Sequence, residues 1–236
     1  MSRAFVLMMV LGCTLAWSSE ARFEPLPDAE ILSKLKERIG TQTYVVSRKL
    51  IRHDSDLSIE LESMMAFEGD YPIVTQTLNE PKRFREWALN NINLRPNGNS
   101  YFIHIVDLLS DARRPQVVTI LFDFNLPLFK EPLRRTWVLT SQETEQEFGK
   151  VFTLEADTDQ GAASPLGSAF AIAKVFRRAD SVWMYLSGRV RLRNWLLYQA
   201  MPDSILGTES GERLEIIIAN YLLEQSRLRE QRRKNP

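Results

Sequence analysis

Gly211-Glu212-Arg213-Leu214-Glu215-Ile216-Ile217-Ile218-Ala219-Asn220-Tyr221-Leu222-Leu223-Glu224-Gln225-Ser226-Arg227-Leu228, continuing to Arg233, is the stretch that decides the fold. Leu214, Ile217, Ile218, Tyr221, Leu222 and Leu228 recur at helical spacing, which gathers them on one face. Gly207-Thr208-Glu209-Ser210, just ahead, offers caps. The pattern predicts a long helix over residues 211–233. An apolar stripe of that length must be buried against something.

Upstream of it lies a succession of strands. Tyr101 to Leu109, Val117 to Leu126, Arg134 to Thr140, Phe148 to Asp157, Ala169 to Arg178 and Ser181 to Arg191 carry β-rich, alternating patterns. Ser110 to Gln116 reads as a polar link, and Asp157 to Ser164, with Gly161, as a turn. Strands without intervening helices imply an antiparallel meander. Its apolar face needs a cover, and the final helix is the element able to supply one. A sheet curved round a helix tends to leave an apolar space between the two.

The first half completes the order. Asp28 caps a helix running to Gly40, with Ile31, Leu32, Leu35 and Ile39 on one face. Thr43 to Ile51 and Leu57 to Phe67 read as a hairpin across the turn His53-Asp54-Ser55-Asp56. Tyr71 to Asn91 suits two short helices broken near Pro81. Trp195 to Met201 reads as a short helical turn ended by Pro202. With no internal repeat or low-complexity linker, residues 22–236 read as one α+β domain, a curved antiparallel sheet gripping the C-terminal helix.

These elements resemble the START / SRPBCC helix-grip superfamily, in its START-like branch. Ile73-Val74-Thr75-Gln76-Thr77-Leu78 followed by Phe84-Arg85-Glu86-Trp87 resembles that family's first helical pair. Phe124-Asn125-Leu126-Pro127, then Pro132-Leu133-Arg134-Arg135-Thr136-Trp137-Val138-Leu139, resembles its proline-then-arginine entry into a central strand. Where the family commonly has Asp after this arginine, this chain has Thr136. The resemblance spans roughly Ile31 to Arg229. It implies a lipid or other hydrophobic ligand held between sheet and C-terminal helix.

Composition narrows the function classes. Lysine plus arginine and aspartate plus glutamate each number 30 in 236 residues, so no global charge points to nucleic acid. Arg3, the apolar run Ala4 to Trp17 and the small, polar Ser18 to Ala21 read as a secretory signal cleaved after Ala21. That places the mature chain in the periplasm or outside the cell. A rival reading takes Val10-Leu11-Gly12-Cys13 as a lipobox, leaving a lipidated Cys13. Cys13 is the one cysteine, so cleavage after Ala21 leaves no disulfide and no thiolate site.

The candidate ligand-binding residues come from the strand and helix faces. Phe152, Phe170, Ile172, Trp183 and Tyr185 share strand faces with Phe176 that suit a cavity lining, and Leu214, Ile217, Ile218 and Tyr221 supply the helix side. The bland reading of all of them is solid core. Arg135, and His104 within Phe102-Ile103-His104-Ile105-Val106, are candidates to orient a polar headgroup, and Trp137, on the Arg135 strand with Leu139, is a further ligand-binding candidate. Asp123 shares a face with Thr119 and Asn125 and reads as solvent-facing. Lys174 reads as a snorkelling surface lysine. Two histidines make no metal site, and no cofactor motif occurs. Asp157-Thr158-Asp159-Gln160-Gly161 lacks the ligands of a calcium loop and reads as a turn. Arg227, Arg229, Arg232, Arg233 and Lys234 make a basic end that suits either a membrane surface or the negative pole of the helix.

The expectation is an exported carrier or sensor of a hydrophobic molecule. The alternatives are a cyclase- or hydratase-type enzyme of the same fold, and an interaction module whose interior is filled.

Overall fold

Alternation and turn chemistry put the chain into helix α1 (Asp28–Arg38), the hairpin β1 (Tyr44–His53) and β2 (Asp56–Phe67), and helices α2 (Tyr71–Asn79) and α3 (Pro81–Ala88). Strands β3 (Ile103–Asp111), β4 (Arg114–Phe124), β5 (Leu133–Gln146), β6 (Gly149–Asp157), β7 (Leu166–Arg177) and β8 (Val182–Leu192) follow, then helix α4 (Asp203–Lys234). This computed structural model describes residues 26–38, 44–53, 56–79, 81–95, 101–111, 113–125, 130–157, 166–178, 181–192 and 203–234. The strands form one eight-stranded sheet, β1-β2-β8-β7-β6-β5-β4-β3, with every pairing antiparallel.

The sheet curls strongly. Leu57 and Ile59 of β2 pack in one cluster with Phe122 and Phe124 of β4, although β8, β7, β6 and β5 lie between those strands. Leu192 of β8 and Ala156 of β6 join them in that cluster, and the twisted sheet curves so that α4 meets β1 on one side and the lead-in to β3 on the other. A bulge helps. The register slips between Ile105 and Asp107, which throws Val106 out to solvent and returns Leu108 to the buried face. The region expected as a polar link, Ser110 to Gln116, is mostly strand, because polar residues can line an exposed sheet end.

α4 closes the gap between the sheet's two edges. On the β1 side a Cβ added at Gly207 would lie 2.5 Å from Leu50, and one at Gly211 would lie 3.0 Å from the Arg48 guanidinium. Gly207, expected among the caps, and Gly211, the expected helix start, therefore sit inside a helix that starts earlier, and their bareness lets it approach β1 closely. On the other side the Glu209 carboxylate accepts the Phe102 N–H at 3.2 Å, just ahead of β3. Ile218 and Tyr221 pack with Tyr71 and Val74 of α2 and with Trp87 and Ala88 of α3. The basic end of α4 is tied down by ion pairs from Arg229 to Glu68 and from Arg232 to Asp70. Among the described residues no helix is long and apolar enough to cross a membrane.

α1 covers the opposite, outer face of the sheet. Ile31 and Leu35 are fully buried there against Met64, Ile172, Phe176 and Tyr185. Lys174 anchors the start of this helix, donating to Asp28 at 2.6 Å and to the Leu26 carbonyl at 3.2 Å. It is a half-buried tether rather than the surface lysine expected. The turn expected at Trp195 to Met201, the loop from residue 158 and the N-terminal signal fall outside the described residues.

Candidate functional site

Cross-strand pairing assigns every residue of the central strands to a face, because directly opposed residues point to the same side. One row crosses four strands as Leu61, Gly188, Ala171 and Leu154. The next row holds Ser63, Leu186, Ala173 and Phe152. Both belong to the inner face, the side that α4 and the β2–β4 cluster occupy.

The ends of this face are dry and its middle is not. Leu57, Ile59, Phe122, Phe124 and Leu192 are buried at one end, and Met65, Val175, Val182 and Met184 at the other. Between them Leu61, Gly188, Ala171 and Leu154 are only half-buried, and so are Leu186, Ala173 and Phe152. Leu214 and Ile217 on α4 are half-buried too. Alanine and glycine side chains are too short to reach across to the helix. Partly exposed apolar groups, with Gly188, Ala171 and Ala173 bare among larger neighbours and only Ser63 of the two rows fully buried, have the character of a hydrophobic binding trough.

The expected lining residues divide between the two faces. Phe152, Leu214, Ile217, Ile218 and Tyr221 meet in the cluster on the inner face. Phe170, Ile172, Trp183 and Tyr185 lie on the outer face with Phe176, packed in the α1 cluster. The physical reason is that β7 and β8 are apolar on both sides, since each side has its own helical cover. The bulky residues fill the α1 side and the alanines face α4. Tyr185 is 1% exposed, donates to Glu62 at 3.2 Å, and burial pushes its hydroxyl above the usual tyrosine range.

The polar candidates are also separated. His104 stands opposite Asp123 in the register, and Asp123 stands opposite Arg134. Arg134 donates to both Asp123 oxygens at 2.8 and 2.9 Å, and that bond holds the carboxyl below its usual range. Asp123 is therefore outward, as its sequence neighbours indicated, and His104 is on its side of the sheet rather than in the trough. Arg135 and Trp137 occupy register positions opposite Phe122 and Ile120, which are residues of the inner cluster. The side chains of Arg135 and Trp137 are outside the described set.

Sequence reasoning missed the charged group on the helix side. Glu209 and Arg213 lie one turn apart on α4, and Glu209 is 3% exposed. The Arg213 guanidinium stacks 4.3 Å from the centre of the Tyr101 ring, and Arg95 bonds Glu212 at 3.2 Å. Burial raises the Glu209 carboxyl and lowers Arg213 to about 10, still a cation at neutral pH. Burial, and then the Glu212 charge, push the Tyr101 hydroxyl up to about 12. Ser63, 1% exposed beside the trough, and Arg213 each bury a polar atom, Oγ and Nη2, that has no hydrogen-bond partner among the described residues. Glu209 read as part of a cap ahead of the helix, so its i, i+4 relation to Arg213 gave no signal until the helix was seen to start at Asp203.

A curled antiparallel sheet in this order, its edges bridged by a long C-terminal helix, settles the architecture. The chain has a helix-grip fold. No family model matches the chain, and no curated protein matches it. Solved structures similar to it include a START superfamily protein from Mycobacterium smegmatis, at 10% identity and a TM-score of 0.45, with 72% of this chain and 98% of that one covered. A STAR-related lipid transfer protein from Xanthomonas axonopodis is similar at 13% identity and a TM-score of 0.34, over 72% of this chain and 98% of that one. The lipid transfer and protein localization domain of human StarD13 is similar at 10% identity and a TM-score of 0.39, over 84% of this chain and 96% of that one.

Proposed function

We propose that this chain is an exported carrier or sensor that holds a lipid or other hydrophobic molecule in the trough between the inner face of the sheet and α4. The half-buried row Leu61, Gly188, Ala171 and Leu154, set between two dry clusters, carries this reading. Covering that strip with an apolar ligand stabilises the complex by roughly 25 cal/mol for each Å² removed from water. Polar groups at the helix side then orient the ligand. Asp123 and His104 lie on the outer side, so they do not converge with the trough as an acid–base pair.

Export rests on Arg3, the apolar run Ala4 to Trp17 and the small residues up to Ala21. N-terminal sequencing of the chain recovered from the periplasm or medium tests it, with Arg22 as the expected first residue. A start at a lipidated Cys13 would overturn the cleavage site and favour a membrane-anchored form.

Binding is tested by native mass spectrometry of gently purified protein, followed by organic extraction and a thermal-shift screen against lipids. A co-purifying mass of lipid size, or a ligand-dependent rise in Tm, is expected. An apo mass together with no shift against any lipid would overturn the proposal and favour a protein-interaction role.

A further inference from the structure

We propose that the group Arg95, Tyr101, Glu209, Glu212 and Arg213 is the headgroup site of this trough, and that its ligand is an amphiphile with a single anionic head bonded to Arg213. The inference rests on the ligand-binding reading above and names the chemistry of the ligand.

The position of the group comes first. Phe102, whose N–H Glu209 accepts, packs on the β2–β4 cluster, and Leu214, next to Arg213, packs on the α2–α4 cluster. The charges thus stand on α4 at the level where the two dry clusters meet, beside the segment that leads into β3. This seam differs from the β1 side of the helix, where glycines press α4 onto Leu50 and Arg48.

The partner count comes second. Glu212 is engaged by Arg95 at 3.2 Å, and both Glu209 oxygens are within 3.3 Å of the Phe102 N–H. Arg213 has Tyr101 against its face, yet its Nη2 is buried with no hydrogen-bond partner among the described residues. A buried charged donor left without an acceptor is costly, so an acceptor brought by a ligand is strongly favoured there. Burial also raises the Glu209 carboxyl, which weakens its competition for the Arg213 charge.

The requirement is an acceptor with charge, such as a carboxylate or a phosphate monoester, on a chain able to lie along the alanine strip. An alcohol of the same length satisfies the strip and offers Arg213 only a neutral acceptor. Charge-assisted bonds are about twice as strong as neutral ones.

The experiment uses the full mature chain and a matched pair of probes, oleate and oleyl alcohol, with inorganic phosphate as a third arm. For wild type, oleate is expected to bind about tenfold or more tightly than the alcohol. Arg213→Met is expected to abolish that preference, weakening oleate by a larger factor than the alcohol. Glu209→Gln/Arg213→Met, which removes one charge of each sign, guards against a folding defect and is expected to behave the same way. Phosphate that fails to displace oleate at millimolar concentration identifies the amphiphile, and phosphate that displaces it competitively overturns the tail requirement. Equal affinity of the two lipids for wild type, or a preference that survives in both variants, overturns the headgroup site while the trough stands. If neither lipid binds wild type, the carrier reading itself falls.

Discussion

The two faces of the same strands make opposite use of their side chains. On the outer face of β7 and β8, Ile172, Phe176 and Tyr185 are buried beneath α1. On the inner face of the same strands, Ala171, Ala173, Leu186 and Gly188 stay half-buried beneath a helix three times as well endowed with turns. The longer cover thus lies over the emptier face. The outer face behaves as core, where packing sets stability, and the inner face behaves as a site left open for something else. A protein that only needed to bury its sheet would place the larger residues under the larger helix.

The largest effect is expected on the outer face. Phe176 stacks on Phe148 with ring centres 4.8 Å apart. Phe176→Ala should cost about 3–5 kcal/mol in chemical denaturation. A cost below ~1 kcal/mol would mean that the α1 side is not packed as core.

A matched pair within β2 sharpens the contrast. Leu57 is fully buried in the dry cluster and Leu61 is half-buried in the trough. Leu57→Ala is expected to lose about 2–5 kcal/mol and Leu61→Ala no more than roughly half of that. Equal losses, measured by urea unfolding, would place both residues in one continuous core.

Cutting the tether of α1 should have a smaller effect. Lys174→Met removes the bond to Asp28, and a loss of about 1 kcal/mol is expected, with faster proteolysis confined to the α1 segment. Unchanged proteolysis would show that Ile31 and Leu35 hold the helix alone.

The pH dependence of the inner side has a defined sign. Glu209 is raised in the folded state, so its contribution to stability is full below the unfolded carboxylate pKa and is lost as pH rises through the raised folded value. Glu209→Gln should flatten that part of the stability–pH curve and keep an acceptor for Phe102. A curve unchanged by the substitution would contradict the burial of this carboxyl.

The smallest effect is a gain. Ser63 buries a hydroxyl with no partner among the described residues, so Ser63→Val should raise apo stability by up to about 1 kcal/mol. A loss of similar size would reveal a hydrogen bond to this hydroxyl.

The frame was legible because periodicity speaks directly to local structure. The stripe Leu214, Ile218, Tyr221 and Leu228 announced α4, and the alternation from Leu57 to Phe67 announced β2. Element ends were less legible. α4 begins at Asp203, ahead of the apparent caps, because Gly207 and Gly211 are tolerated where the helix meets β1. The site was legible only in part. Alternation separates two faces but does not say which is inside, and in β7 and β8 both faces are apolar. Phe170, Ile172, Trp183 and Tyr185 drew attention by size, whereas the alanines opposite them form the open strip. Glu209 and Arg213 were hidden because two charges in an exposed-looking helix turn are common, and only the curl of β3 toward α4 buries them.

The most direct test is to fill the strip. Ala171→Trp introduces a large apolar side chain at its centre, and the paired readouts are Tm and uptake of a fluorescent alkyl probe. The account predicts a variant that folds with a Tm close to wild type and no longer takes up the probe that wild type binds. A variant that is strongly destabilised, as overpacking of a solid core requires, or that still binds the probe as wild type does, would contradict it.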